Sequence, residues 1–173
     1  MKKRKIILLI LAFCFFTVIS ITSYETIIEA RRKKEFAENR RKIPVFLYEN
    51  INGESFSNQN LKKDTPTVFV YFHSECEYCN EEAHNIKENI KKFSNVQLVF
   101  ISFENVEKIK IFAVRYQLDT YNNVHFISDP STNFASIFDV QGLPCLVLYD
   151  KDQNLIEKIE EEVEVKILLK KLE

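Results

Sequence analysis

Glycine is almost missing from this chain. Its 173 residues include only Gly53 and Gly142, together with four prolines, one methionine and no tryptophan. With so few glycines, each is expected where the backbone demands it. Cysteine is sparse as well: Cys14, Cys76, Cys79 and Cys145. Cys14 falls in an apolar N-terminal run, so three remain for the folded part. That is too few for a disulfide scaffold. There is no internal repeat and no low-complexity tract. What is abundant is apolar material, at 46% of residues with 15 phenylalanines, enough for a sizeable core. Heavy use of Ile, Asn, Lys and Phe resembles that of AT-rich bacterial genomes.

Charge is unevenly placed. Residues 1–5 carry Lys2, Lys3, Arg4 and Lys5, and residues 6–23 carry no charge. Residues 24–43 carry seven basic and four acidic groups. The overall net charge of −1, less +4 and +3 from those two segments, leaves −8 for residues 44–173. An acidic domain excludes nucleic acid as its partner. The basic segments flank the apolar run, where a membrane surface is the natural counterpart.

The uncharged run over residues 6–22 spans ~25 Å as a helix, the short end of what a bilayer accepts. No A-x-A-like cleavage site follows it, so an uncleaved anchor is expected. Phe13 before Cys14 is wrong for a lipoprotein signal. Arg31, Arg32, Lys33 and Lys34 near the other end bring the positive-inside count close to a tie, but the immediate adjacency of Lys2–Lys5 favours the N-terminus inside and the C-terminal domain outside the cytoplasm. Residues 23–43, charged and free of Gly and Pro, read as a helical stalk. Pro44 marks the boundary of a domain over 44–173.

Within that domain, 45–48 reads as a strand, Asn52-Gly53 as a turn and Ser55-Phe56 as the return strand of a hairpin. The apolar stretch 67–72 is a core strand. A helix over 77–93 buries Ala83, Ile86, Ile90 and Phe93, spaced 3, 4 and 3 apart. Strand 96–103, helix 105–118, strand 124–127, helix 131–138, strand 145–149, strand 155–159 and helix 163–172 follow. The last helix is expected to turn Val163, Ile167 and Leu168 inward. Alternating strands and helices give an α/β fold with a parallel core, and the final hairpin adds an antiparallel edge.

The chemistry concentrates where the core strand meets the first helix: Phe72-His73-Ser74-Glu75-Cys76-Glu77-Tyr78-Cys79. A C-x-x-C pair at a helix start puts a thiol beside unpaired N–H groups and the positive end of the helix dipole, which favour the thiolate. Thiol–disulfide exchange needs one thiolate to attack and a second thiol to resolve. Glu75 and Glu77 flank Cys76 and oppose its thiolate, so a more reducing couple is expected than in strongly oxidising relatives. Zinc is the rival occupant, with His73 and His84 as further ligands. Yet His84 lies five residues after Cys79, an unfamiliar spacing, and there is no second C-x-x-C. A tethered metal chaperone or non-catalytic adaptor is the alternative class.

Over 44–173 the chain resembles thioredoxin-fold redoxins of the AhpC/TSA-like superfamily, particularly membrane-tethered TlpA- and ResA-type proteins. The resemblance is carried by Phe72-x-x-x-Cys76-x-x-Cys79 between strand and helix, by Gly142-Leu143-Pro144 before a late strand, and by the membrane segment in front. It implies a thioredoxin-like fold with a central mixed sheet, flanking helices and an N-terminal hairpin. Cys76 is then the attacking thiol and Cys79 the resolving one. Pro144 matches the family's cis-proline, Leu143 offers backbone groups to a peptide, and Tyr78, where the family commonly has proline between the cysteines, is a further substrate-binding candidate. Cys76-Glu77-x-Cys79-x-x-Glu82 is similar to the ResA-type C-E-P-C-x-x-E, which makes Glu82 the proton-transfer candidate. Cys145, next to Pro144, would be a third thiol near the dithiol. The family's P-x-x-x-[ST]-x-x-C peroxidase motif is not met, since Phe69 and His73 occupy its positions. The implied function is reduction of protein disulfides outside the cytoplasm at the bacterial inner membrane. No cofactor is implied, and the electrons would come from a membrane donor of DsbD/CcdA type.

Overall fold

The computed structural model describes residues 41–172, with Thr17, 24–28, Ala30, Arg31 and Lys34. The chain divides into two units, Met1–Asn39 and Arg40–Glu173. In the first unit the described residues are helical, and those from 24 onward are exposed. The basic residues 1–5, the anchor expected over 6–22 (apart from Thr17) and about half of the stalk lie outside the described residues. Among the described residues, no helix is long and apolar enough to cross a membrane. Residues 41–43, assigned by sequence to the stalk, belong to the second unit. Lys42 bridges to Asn154 and Ile43 is buried.

The second unit runs β1 (Leu47–Asn50), β2 (Ser55–Ser57), β3 (Thr67–Tyr71), α1 (Glu77–Glu88), β4 (Gln97–Ser102), α2 (Val106–Arg115), β5 (Val124–Ser128), α3 (Asn133–Phe138), β6 (Cys145–Tyr149), β7 (Leu155–Ile159) and α4 (Val165–Leu172). Seven strands form one sheet in the order β2-β1-β5-β4-β3-β6-β7. The centre, β5-β4-β3, is parallel. β6 runs antiparallel to β3, and β7 to β6. At the far edge the β1–β2 hairpin joins β5 antiparallel. Strands β3, β4 and β6 are buried along their whole length, as continuous apolar runs covered on both faces should be.

Side-chain alternation divides the core. Val68, Val70, Phe72, Leu98, Phe100, Leu146 and Leu148 face Ala83 and Ile86 of α1, Ile109 and Phe112 of α2, and Val165 and Leu168 of α4. The opposite face is aromatic. There Phe69 meets Phe46, Phe134 and Tyr149, and Tyr71 stacks on Phe134 of α3 at 5.2 Å.

Three local departures have physical causes. The expected helix 77–93 breaks at Asn89, whose Nδ2 donates to Asn85 O at 2.9 Å. The chain continues as a 3₁₀ turn over Ile90–Phe93, and its three-residue repeat keeps Ile90 and Phe93 buried. The first strand starts at Leu47 because the Phe46 N–H is taken by Asn58 Oδ1 at 2.8 Å. α4 begins at Val165, so its buried positions are Val165 and Leu168; Val163, just before it, packs half-buried against the core as expected, and Ile167 is exposed.

Candidate active site

β3 hands the chain to the dithiol without losing its place in the core. The Phe72 N–H donates to Ile101 O at 3.0 Å, and its ring lies 4.3 Å from that of Phe112. The loop then tightens, with the Cys76 N–H donating to His73 O at 3.1 Å. Cys76 is the N-cap of α1, and its Sγ accepts from the Cys79 N–H at 3.4 Å. One of the helix's four orphan donors is thereby spent on the sulfur that is to carry negative charge. Cys76 is half-buried and Cys79 is buried. Both are free thiols. The first sulfur is therefore within reach of solvent, and the second is not.

Burial pushes the Cys79 thiol up strongly. Its hydrogen bond to Cys76 and the negative charges of Cys76 and Glu82 add to the effect, and a hydrogen bond with His73 backbone opposes it. Cys79 therefore needs a base. Glu82 lies one helical turn on, with no exposed surface. Burial raises its carboxyl to about 7, against the Val163 N–H that donates to Oε2 at 3.0 Å. Oε1 is buried with no hydrogen-bond partner among the described residues. Glu82 can hold or release a proton near neutrality beside a thiol that must lose one.

The second half of the site comes from the loop before β6. The Leu143–Pro144 peptide is cis and Pro144 is buried. Leu143 O lies 3.9 Å from Cys76 Sγ. Cys76, Cys79 and Glu82 thus lie together, and the Leu143 carbonyl beside the cis-proline reaches Cys76. Tyr78 sits on the exposed side of the first turn of α1. Gly142 is a correction. Unlike Gly53 at φ +81°, it has no positive φ, and an added Cβ would meet Glu160 O at 3.5 Å and Glu160 Cβ at 3.9 Å, both ordinary contacts. Nothing in its backbone requires glycine.

Cys145 is the second correction. It adjoins Pro144 in sequence, but strand alternation sets it on the opposite face from the Leu146 and Leu148 that share a cluster with Cys79. It pairs in register with Tyr71 and is fully buried. Burial, with Glu160 adding, raises its thiol to about 12. It is a core cysteine.

The flanking carboxylates are exposed. Glu75 pairs with Lys108 at 3.4 Å, which answers part of its charge, and Glu77 lies in the first turn of α1, where the helix dipole favours an acid. Sequence reasoning missed Glu104. This buried carboxylate accepts from the Ser74 N–H at 2.7 Å and the Ser74 hydroxyl at 2.9 Å. It also pairs with His73 at 3.5 Å and Lys108 at 3.4 Å. Burial works against its charge, but the Ser74 bonds, with His73 and Lys108 alongside, outweigh it and hold it below the usual carboxylate range. The available signal was its place just beyond the C-terminal end of a parallel core strand. His73 is engaged there and His84 is exposed. Among the described residues, no group of three His, Cys, Asp or Glu side chains is placed to hold a metal.

Comparisons with known proteins agree with this architecture. A secreted disulfide oxidoreductase of Mycobacterium tuberculosis, homologous to E. coli DsbE, superposes with a TM-score of 0.63 at 19% identity, covering 78% of this chain and 96% of that one. Peroxidoxin BcpB of the same organism gives 0.65 at 22% identity, with 76% and 93% covered. A thioredoxin-like protein of Haemophilus influenzae is 26% identical over 139 residues, 79% of this chain and 76% of its own length. The sheet and its flanking helices are those of the thioredoxin-like fold. The AhpC/TSA family model matches residues 40–158, which take in the dithiol, the cis-proline loop and all seven strands but the last residue of β7, and the chain belongs to the AhpC/TSA family.

Proposed function

We propose that this protein is a thiol–disulfide oxidoreductase that reduces disulfides in other proteins. The observation that carries the reading is the asymmetry of the dithiol. A half-buried Cys76 caps a helix and faces Leu143 O, and a buried Cys79 stands beside the ionisable, buried Glu82. The Cys76 thiolate attacks one sulfur of a substrate disulfide. The substrate S–S bond breaks, a mixed disulfide forms, and the first substrate thiolate leaves and takes a proton. Glu82 as carboxylate accepts the Cys79 proton, and the Cys79 thiolate attacks Cys76 Sγ. The second substrate thiol is released, and two electrons have passed from the Cys76–Cys79 dithiol to the substrate. No organic cofactor enters, because the two sulfurs carry the electrons.

The disulfide so formed must be reduced again. A membrane dithiol donor of DsbD/CcdA type fits a domain tethered by residues 6–22 to the outer face of a bacterial inner membrane. Protease treatment of intact cells tests that placement, with the domain expected to be cleaved. The reaction itself is tested by mixing reduced protein with a disulfide-bonded protein. One substrate disulfide is expected to disappear for each Cys76–Cys79 disulfide formed, and Cys76→Ser is expected to abolish the reaction. Consumption of hydrogen peroxide with no reduction of protein disulfides would move the reading to peroxidase chemistry. Tight copper or zinc binding without exchange would move it to metal transfer.

A further inference from the structure

One side chain beside the dithiol has no part in the exchange steps above. Asn80 stands on α1 four residues after Cys76, where an asparagine is neutral to unfavourable and is expected to look to solvent. Instead it turns back. Its Nδ2 donates to Cys76 O at 2.6 Å and to Ser74 O at 3.2 Å. The Cys76 carbonyl also takes the helix bond from the Asn80 N–H at 3.0 Å. Both amide hydrogens therefore hold the loop that carries the thiol.

The other end of the amide is fixed from a different helix. Asn80 Oδ1 accepts from the Tyr116 hydroxyl at 2.7 Å. Tyr116 caps the C-terminus of α2, and its ring lies 4.9 Å from that of Phe112. Phe112 in turn packs on Phe72, where the loop leaves the core. The ring packing thus anchors the hydroxyl that orients the amide, and the amide orients two loop carbonyls.

We propose that Asn80 is a positioning residue for Cys76, with its amide orientation set by Tyr116. It holds the Ser74–Cys76 backbone so that Cys76 Sγ stays over the Cys79 N–H. Without it the loop gains freedom, and the sulfur spends less time against the helix N-terminus that stabilises its thiolate. This rests on Cys76 being the attacking thiol, and the test separates the two claims.

The measurement is alkylation of Cys76 by iodoacetamide in the full-length protein, followed on the Cys76 peptide by mass spectrometry from pH 5 to pH 9, beside thermal unfolding. Loss of the two hydrogen bonds to the loop and the one from Tyr116 at Asn80→Ala is expected to slow alkylation at pH 7 by about tenfold and to displace the rate profile to higher pH. Tyr116→Phe keeps the ring and removes only the hydroxyl. It is expected to slow alkylation by about threefold with the same direction of displacement, and it keeps the proposal testable should Asn80→Ala fail to fold. Wild-type rates and profile in the folded variants would overturn the role. So would rates that fall only in step with the melting midpoint while the profile stays in place. A wild-type Cys76 that reacts no faster than a cysteine in the unfolded chain would overturn the reading of Cys76 itself.

Discussion

At the scale of single residues, the site is governed by the cost of charge without water. Glu82 has no exposed surface, and its carboxyl is raised to about 7. The folded state thus holds a proton there that the unfolded chain, near 4.5, has already lost. Its contribution to stability is full below the unfolded value and is lost as pH rises from about 4.5 through about 7. The shift corresponds to about 3 kcal/mol at most. Glu82→Gln is expected to remove that loss. Its urea midpoint at pH 8 should exceed that of the wild type, with the two converging at pH 4, and unfolding curves at both pH values check it. The same variant is expected to leave mixed-disulfide formation intact and to slow its resolution by about 10²–10⁴-fold, the range a positioned base supplies. Stopped-flow traces that separate the two phases decide it. Glu82 was legible in sequence only through the resemblance of Cys76-Glu77-x-Cys79-x-x-Glu82 to a ResA-type motif, since the Val163 N–H that it accepts from lies 81 residues on. Glu104 and Asn80 were not, since what they hold is set by folding. Glu104 meets Ser74 thirty residues back, and Asn80 meets Tyr116 thirty-six residues on.

At the scale of elements, the helices aim the chemistry and the strands hold them still. α2 is started by Asn105, whose Oδ1 accepts from the Lys108 N–H at 3.0 Å. Lys108 and the neighbouring Glu104 then reach the dithiol loop. Asn105→Ala is expected to lower stability by about 1 kcal/mol, read as a drop in the denaturant midpoint at unchanged slope. Phe112 is fully buried between Phe72 and Tyr116. Phe112→Ala should cost about 3–5 kcal/mol and slow exchange as well, since it loosens the foot of the Cys76 loop. Calorimetry together with a turnover assay checks both. Element types were readable because apolar spacing separates 3.6 from 2. Their ends were not, because single side chains decide them. Asn89 stops α1, Asn58 takes the Phe46 N–H, and α4 starts two residues late. Side-chain direction was the harder failure at Cys145. Adjacency to Pro144 suggested proximity to the dithiol, and a one-residue step along a strand reverses the face.

At the scale of the whole molecule, the sheet order puts the active-site strand β3 between parallel β4 and antiparallel β6. That single arrangement brings residues 76–82 and 143–144 to one edge from distant parts of the chain. The order of strands and helices, read with the C-x-x-C and the Gly-x-Pro, was enough to anticipate this. The pairing of β1 with β5 was not, because nothing local in a four-residue strand names its partner. The central claim is that Cys76 attacks and Cys79 resolves. The most direct measurement is to mix reduced Cys79→Ala protein with a disulfide-bonded protein and map the adduct by mass spectrometry without reductant. A stable mixed disulfide on Cys76, absent from the wild type at equilibrium and from the Cys76→Ser, Cys79→Ala double variant, is the predicted result. No adduct on Cys76, or an adduct on Cys145 in its place, would contradict it.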